Sequence, residues 1–167
     1  MTTPHADAGH RTPLAGLVRA YLDAVYRWRR DDDWHDLRIG LPAPALELLY
    51  PAAGTFGLLS AWNPRSVERS EAVNREADAR LHRELAATGL VYLPAFGSAV
   101  DRSWREPSWV VAGMALEDFD ALSRRHGQLG TLWWPRGGAG RLRVDAARPA
   151  GFDLDEHVDW LQEAGDL

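Results

Sequence analysis

The sequence predicts an α+β fold: a ferredoxin-like βαββαβ sandwich with extra N-terminal and C-terminal helices. Three observations lead to this prediction. Between residues 55 and 145, apolar runs and amphipathic segments follow the order strand, helix, strand, strand, helix, strand, which is the split βαβ order. Each end of the chain adds a helix-like apolar stripe. The length of 167 residues fits one domain with a substantial core. We therefore expect a disordered N-terminus at residues 1–11 and a single domain over residues 12–167.

The first expected helix covers residues 13–29. Thr12 can cap it, and Pro13 suits the first helical position because its missing N–H needs no partner there. Apolar residues then recur at helical spacing: Leu14, Leu17, Val18, Tyr21, Leu22, Val25 and Trp28. This stripe predicts that the helix packs on the sheet face left open by the two central helices, or in the interface with a second copy of the chain.

The segment after this helix is expected to consist of short pieces. We interpret Asp31-Asp32-Asp33 as a solvated connector rather than a metal cluster. Residues 37–39 are predicted to form a short strand. Residues 45–50, which lie between prolines, are predicted to form one or two helical turns.

The core itself is read from apolar runs and helix caps. The predicted strands cover residues 55–62, 90–96, 108–114, 131–134 and 141–144, with a hairpin turn between the last two. One helix starts at Ser66 or Ser70 and ends at Gly89, and a second covers residues 116–126 and ends at Gly127.

A final helix is expected over residues 153–164. Asp153 and Glu156 have the spacing of a capping box. Leu154, Val158 and Leu161 then supply an apolar stripe.

The composition excludes several kinds of site. With no cysteine, the chain has no disulfide, no thiolate nucleophile and no Cys-ligated metal. All 19 basic residues are arginine, which excludes Schiff-base chemistry and a Walker-type phosphate lysine. No two histidines stand three or four residues apart, so no helical metal pair is predicted. We expect neither a metal nor a cofactor.

Charge and hydropathy narrow the choice of partners. A formal net charge of −5 argues against a nonspecific nucleic-acid binder, because such proteins gain affinity mainly by neutralising phosphates. No run of about 18 apolar residues predicts a transmembrane helix, and the N-terminus lacks the pattern of a secretory signal. The expectation is a cytoplasmic protein that binds an anionic small molecule or a protein partner, and the oligomeric state is left open.

The predicted topology brings three polar segments to one edge of the sheet. If the strand at residues 55–62 runs upward, its end at 63–66 lies at the top. The start of the strand at residues 106–108 and the turn at residues 126–128 lie there as well. An arginine and a helix N-terminus at this edge suit an anionic group. The candidate ligand-binding residues are Asn63, Arg65, Ser66, Asn74, Glu106, Ser108 and Gln128.

The same residues carry a family resemblance. Asn63-Pro64-Arg65-Ser66, Asn74, Glu106-Pro107-Ser108 and Gly127-Gln128, in this order, resemble the pattern of a bacterial family known as domain of unknown function 3293. The resemblance spans about residues 56–134 and leaves out the helices at either end. By this resemblance Gln128 would precede a small or polar residue, whereas Leu129-Gly130 follows here. The family name implies no activity, so the resemblance supports the site and not a mechanism.

Three functional hypotheses remain. The leading one is an anionic-ligand or partner-binding domain with a polar edge site. The second is a small enzyme that uses Glu106 as a general acid or base while Arg65 holds an anionic substrate. The third is an RNA-recognition-like sheet on which Phe56, Trp62 and Trp109 form a stacking platform. Each polar residue also has a structural alternative: Ser66 as a helix cap, Glu106 as a partner of Arg65 or Arg105, and Gln128 as a tie for the helix end.

Overall fold

One eight-stranded sheet runs through the molecule, and helices cover both of its faces. The computed structural model describes residues 12–165. The helices are α1 (Leu14–Asp23), α2 (Pro44–Leu49), α3 (Glu71–Thr88) and α4 (Leu116–Arg125). The strands are β1 (Val25–Arg30), β2 (Asp33–Leu37), β3 (Thr55–Leu59), β4 (Val91–Ser98), β5 (Arg105–Ala112), β6 (Gly130–Pro135), β7 (Arg141–Ala147) and β8 (Val158–Gln162). The predicted α+β class is confirmed, and the disordered segment predicted at residues 1–11 lies outside the described residues.

The strands lie in the order β2-β1-β4-β5-β3-β6-β7-β8. Neighbouring strands are antiparallel except β7 and β8, which are parallel. In the centre of the sheet, Phe56 on β3 lies opposite Ala112 on β5 and Trp134 on β6. β3 is therefore paired along both of its sides, which suits its apolar sequence.

Helices α3 and α4 cover one face of the sheet. Leu81 and Leu85 from α3 and Phe119 from α4 are fully buried there against sheet residues such as Val111. Gly57 allows this close packing, because a Cβ at that position would lie 2.4 Å from the Phe119 ring. As predicted, Ser70 caps α3 by accepting a hydrogen bond from the Val73 N–H, and Gly89 ends the helix in the left-handed conformation.

Helices α1 and α2 pack on the opposite face. Val18 from α1 and Leu46 from α2 are fully buried in the cluster that contains Phe56 and Trp134. The N-terminal helix thus occupies the sheet face to which its apolar stripe assigned it, and α2 lies where helical turns were predicted. This face holds the larger of the two apolar clusters.

The predicted length of the first helix is wrong. The helix ends at Asp23, and the residues after it form a β1–β2 hairpin. Tyr26 and Trp28 are buried while their neighbours Arg27 and Arg29 are not, and this alternation is the period of a strand. The helical pattern arose because Val25 and Trp28 also fall at helical spacing.

The acidic connector is the turn of this hairpin. Asp31, at a φ of 52°, takes the left-handed conformation that a tight two-residue turn requires. The strand predicted at residues 37–39 starts earlier and ends at Leu37, and Ile39 makes only an isolated bridge to Gly140.

The predicted C-terminal helix is also wrong, because this segment contains strand β8. Of the predicted capping pair, Asp153 contacts Arg19 and the Glu156 carboxylate lies 3.8 Å from the His157 ring, so neither caps a helix. Asp159 on β8 binds two arginines of β7. Side-chain pairing with β7 and the strand-forming Val158-Asp-Trp-Leu sequence outweigh the local capping signal.

None of the helices within residues 12–165 is both long and apolar enough to cross a bilayer.

Candidate functional site

A cleft of about 540 Å³ opens where the end of β3, the start of α3, the start of β5 and helix α1 meet. Its apolar wall includes Leu17 from α1 together with Trp62 and Trp104. Four of the seven sequence-predicted residues line the same cleft: Asn63, Ser66, Asn74 and Glu106. The structure therefore brings together residues from three distant parts of the chain.

The Asn63 side chain is the centre of the polar floor. Its Oδ1 accepts hydrogen bonds from the Arg69 main-chain N–H and from Asn74 Nδ2, each at 2.9 Å. Its own main-chain N–H donates to Asn74 Oδ1 at 2.9 Å. Asn63 sits at a φ of 46°, a conformation that asparagine tolerates better than most residues. Asn74 is buried on the first turns of α3, so it fixes the position of Asn63 from below.

Glu106 completes the floor from the start of β5. Its Oε1 accepts a hydrogen bond from Asn63 Nδ2 at 2.8 Å. Within residues 12–165, no other side chain or main-chain group pairs with this carboxylate, and neither Arg65 nor Arg105 forms an ion pair with it. Partial burial raises the pKa of the Glu106 carboxyl, and the Asn63 hydrogen bond offsets part of that rise.

Glu106 belongs to strand β5, which begins at Arg105 and therefore earlier than the predicted strand at residues 108–114. Strands β4 and β5 extend to Ser98 and from Arg105, and Glu106 lies opposite Gly97. A side chain on a paired strand has a more defined position than one on a loop. This strand placement gives the carboxylate a rigid support.

Arg65 does not line the cleft. Its guanidinium binds Asp145 on β7, with Nη1 3.1 Å from Asp145 Oδ2, and its main-chain N–H donates to the Gly127 carbonyl at 2.7 Å. The sequence pattern placed Arg65 at this edge of the sheet, but the acid that neutralises it lies on β7, outside the predicted set. Arg65 therefore ties the β3–α3 connection to β7.

Gln128 and Ser108 support the floor from behind it. Both are buried. Gln128 Nε2 donates to the carbonyls of Trp62 at 3.2 Å and His126 at 3.3 Å, so this residue does tie down the end of α4. Ser108 Oγ donates to the Glu106 carbonyl at 3.2 Å.

Close packing explains why Gly127 accompanies the Asn-Pro pair. Gly127 has a φ of 65°, and a Cβ there would lie 2.9 Å from the Pro64 Cβ. A larger residue would push the turn away from the end of α4. The Asn63-Pro64 and Gly127-Gln128 motifs thus pack directly against each other.

Tyr21 is a cleft residue that the sequence did not assign to the site, because its position in the α1 stripe indicated a core residue. Its hydroxyl forms a hydrogen bond with Ser66 Oγ. Burial raises the pKa of the Tyr21 phenol, and the Ser66 hydrogen bond acts against that rise. Nothing in the local sequence around Tyr21 could have indicated this contact, since its partner lies 45 residues away.

Two arginines at the cleft were also missed. Arg69 and Arg105 both line it, and neither makes an ion pair with another residue in the described part of the chain. The Arg105 guanidinium lies 4.1 Å from the centroid of the Phe96 ring, a cation–π distance. The cleft is thus lined by two arginines and by three glutamates, Glu68, Glu71 and Glu106. Of these glutamates, Glu71 is paired with Arg75.

The three aromatic residues of the RNA hypothesis do not form one platform. Phe56 is buried beneath α1 and α2, whereas Trp109 packs against the cluster beneath α3. Trp109 stacks on His82 with ring centroids 5.1 Å apart. Trp109 does not join Phe56 because it lies opposite Leu59, whose side chain is on the other face of the sheet.

Across residues 12–165, no group of three or more histidine, aspartate or glutamate side chains is arranged to hold a metal ion.

Comparison with known proteins gives one finding. No significant match is found among curated proteins or among solved structures. Residues 59–130, the segment that contains Asn63, Asn74, Glu106 and Gln128, match the model of a family described as Protein of unknown function (DUF3293), which confirms over this segment the family resemblance predicted from the motifs.

Proposed function

We propose that this protein binds a small anionic ligand in the cleft between α1, α3 and β5, which we call the Asn63–Glu106 cleft. The observation that carries the proposal is the pair of arginines, Arg69 and Arg105, which line the cleft and form no ion pair with another described residue. A volume of about 540 Å³ is in the usual range for small-molecule sites, roughly 300–1,000 Å³.

The backbone beside the cleft supports this proposal. Asn63, Arg65 and Ser66 all have positive φ, at 46°, 56° and 56°. Each such non-glycine residue costs on the order of 1 kcal/mol or more, and strain of this kind clusters at binding and catalytic sites. The strained turn holds Asn63 and Ser66 toward the cleft while Arg65 faces Asp145.

Arg69 and Arg105 are the cations that would hold the anionic group. They take the role that the sequence assigned to Arg65, whose guanidinium is occupied by Asp145. Arginine is well suited to carboxylates and phosphates because its planar fork can donate two parallel hydrogen bonds.

The binding proposal is tested by a thermal-shift screen of nucleotides, phosphorylated metabolites and carboxylates. A ligand at 100 times its dissociation constant should add about 2.7 kcal/mol of stability. Arg69→Ala should reduce this gain, whereas Arg65→Ala, which removes an arginine outside the cleft, is the matched control and should retain it. The proposal fails if no compound stabilises the wild type, or if both variants respond like the wild type.

A second candidate function is catalysis with Glu106 as general acid or base. The raised pKa of its carboxyl favours this candidate, because a general acid or base works best when its pKa approaches the ambient pH. Glu106→Gln preserves the shape of the side chain and removes the titration. If a turnover assay exists for a ligand found in the screen, an enzyme would lose turnover in this variant and still bind, whereas equal retention of both would exclude the catalytic role.

We also infer that the segment from β3 to β6 is a ferredoxin-like unit. Supporting this inference, the four strands lie in the order β4-β5-β3-β6, all antiparallel, and both connecting helices contribute to one apolar cluster. In that unit the cleft lies at the end of the first strand and the beginning of the third. An experimental structure in which α3 and α4 packed on opposite faces would contradict it.

A further inference from the structure

The hydrogen bonds of Asn63 determine which way its amide points. Two N–H donors, from Arg69 and Asn74, reach the Asn63 oxygen at 2.9 Å. A flipped amide would place an NH₂ group against both donors, so this orientation is the one that satisfies the network. Asn63 Nδ2 must therefore face Glu106, to which it donates at 2.8 Å.

This arrangement leaves the Glu106 carboxylate as an unsaturated acceptor. Asn63 occupies Oε1, and no group of residues 12–165 donates to Oε2. A partly buried carboxylate needs a donor or a cation to replace the water it loses. The chemical group that best supplies both is an ammonium, with a hydroxyl as the weaker substitute.

Two arginine residues line the same cleft as this acceptor. The main chain of Arg69 and the carboxylate of Glu106 bind the two ends of the same Asn63 amide group. Arg69 and Arg105 both line the cleft and form no ion pair with another described residue. The cleft thus presents an acceptor at its floor and two arginines that have no ion pair among the described residues. Its lining also includes Glu68 and Glu71 and the apolar wall of Leu17, Trp62 and Trp104.

We propose that the ligand has a zwitterionic head group, an ammonium bound by Glu106 and a carboxylate bound by Arg69 or Arg105, attached to an apolar side group: the class of free amino acids and their close derivatives. This inference rests on the proposed function, because it names the chemical class of the ligand for the same cleft. Asn74 acts as a positioning residue, since it holds Asn63 in the orientation that leaves Glu106 Oε2 available.

The test uses two series of probes that differ only at carbon 2. One series is L-phenylalanine, L-phenyllactate and 3-phenylpropanoate, and the other is L-leucine, L-2-hydroxy-4-methylpentanoate and 4-methylpentanoate. Dissociation constants are measured by NMR titration of the ¹⁵N-labelled full chain, following the Trp62 and Trp104 indole signals. In at least one series the ammonium compound should bind about tenfold more tightly than the compound with hydrogen at carbon 2, with the hydroxyl compound between them.

Two variants assign that preference to individual residues. In Glu106→Gln, the advantage of the ammonium over hydrogen should disappear while the plain carboxylates bind as tightly as before or more tightly. At least one of Arg69→Ala and Arg105→Ala should weaken all three members of a series by similar factors, and unchanged binding in both variants overturns the inference. A preference that is unchanged in Glu106→Gln overturns the inference.

The outcomes separate this inference from the proposed function. If neither series reaches the cleft but another anion from the thermal-shift screen does, the zwitterion inference is overturned and ligand binding stands. If no probe and no screened compound perturbs the cleft signals, both are overturned.

Discussion

Two clusters of partly buried charge in this molecule differ in how completely the protein satisfies them. Between α4, β7 and β8, Arg143 binds Asp120 at 2.6 Å and Asp159 at 3.4 Å, and Arg141 binds Asp159 at 2.9 Å. At the Asn63–Glu106 cleft, the carboxylate has one neutral donor at 2.8 Å and no cationic partner among the described residues. In the first cluster every carboxylate is paired with an arginine. In the second, the Glu106 carboxylate can still accept hydrogen bonds.

This difference separates a structural cluster from a binding site. The Arg143 and Asp120 side chains are only 11% and 12% exposed, so their charges are stable only because each compensates the other. The Glu106 carboxylate is also partly buried, but it has no such compensating charge among the described residues. The following changes test whether the two clusters differ as described.

The largest expected effect is that of Asp120→Ala. The change leaves Arg143 largely buried and without its closest partner, and breaking a buried pair in this way costs about 3–5 kcal/mol. The free energy of unfolding from urea titration measures the loss. Glu76→Ala is the control, because the Glu76–Arg80 pair is exposed and should contribute less than about 1 kcal/mol. Equal effects of the two changes would show that the Arg143–Asp120 pair does not stabilise the fold.

Asn74→Ala should have the next largest effect. It removes three hydrogen bonds of the buried amide and leaves the main-chain N–H of Asn63 without a partner. A buried group without a partner costs about 1–3 kcal/mol, measured in the same urea titration. Val73→Ala, on the exposed side of the same helical turn, should change the unfolding free energy by about 0.5 kcal/mol or less. An Asn74→Ala protein as stable as the wild type would mean that the floor is not rigid.

Glu106→Gln should not destabilise the protein at neutral pH, whereas a change among Arg143, Asp120 and Asp159 should. Because the pKa of Glu106 is raised in the folded state, its contribution to stability is fully present below the unfolded-state pKa and is lost as the pH rises through the folded-state value. The variant should therefore be at least as stable as the wild type at neutral pH, and its advantage should vanish in acid. Melting temperatures between pH 4 and pH 8 report the difference. A variant that is less stable at neutral pH alone would indicate that Glu106 has a cationic partner.

The smallest expected effect is at Glu84, which joins α3 to the end of α4. The Arg125 hydrogen bond lowers the pKa of this carboxyl, with His126 acting in the same direction. Its contribution to stability is therefore present above the unfolded-state pKa and is lost as the pH falls, the reverse of Glu106. Because the Glu84 side chain is 40% exposed, Glu84→Gln should cost about 0.2–1 kcal/mol at neutral pH. Melting temperatures that are equal at neutral pH and separate only in acid would contradict this assignment.

The sequence predicted the central elements because local signals and tertiary contacts agree there. Helix α3 begins after Ser70 and ends at Gly89, and the apolar runs of β3 and β5 are buried on both faces. At the termini the signals disagreed. Val25 and Trp28 fit a helical period, and Asp153 and Glu156 fit a cap, but pairing with β4 and β7 determines the structure of those segments.

The candidate site shows the same division. The edge of the sheet at which Asn63, Asn74 and Glu106 meet follows from the order of elements, so sequence reasoning could place it. The orientation of Arg65 depends on Asp145, and the Tyr21–Ser66 contact depends on where α1 docks. Both contacts join segments that are distant in the sequence, and the apolar stripe of α1 predicts its sheet face but not the partner of Tyr21. Arg69 has no distinguishing pattern, since it is one of 19 arginines.

The Glu106 carboxylate is partly buried and has no cationic partner among residues 12–165. The most direct measurement is a pH titration of the Glu106 side-chain carboxyl carbon by NMR, with the signal assigned by its absence in Glu106→Gln. We expect a Glu106 pKa above the value of an ordinary glutamate, which is about 4.3. A pKa at or below that value would show that a positive charge in the folded protein already satisfies this carboxylate, and it would contradict the account.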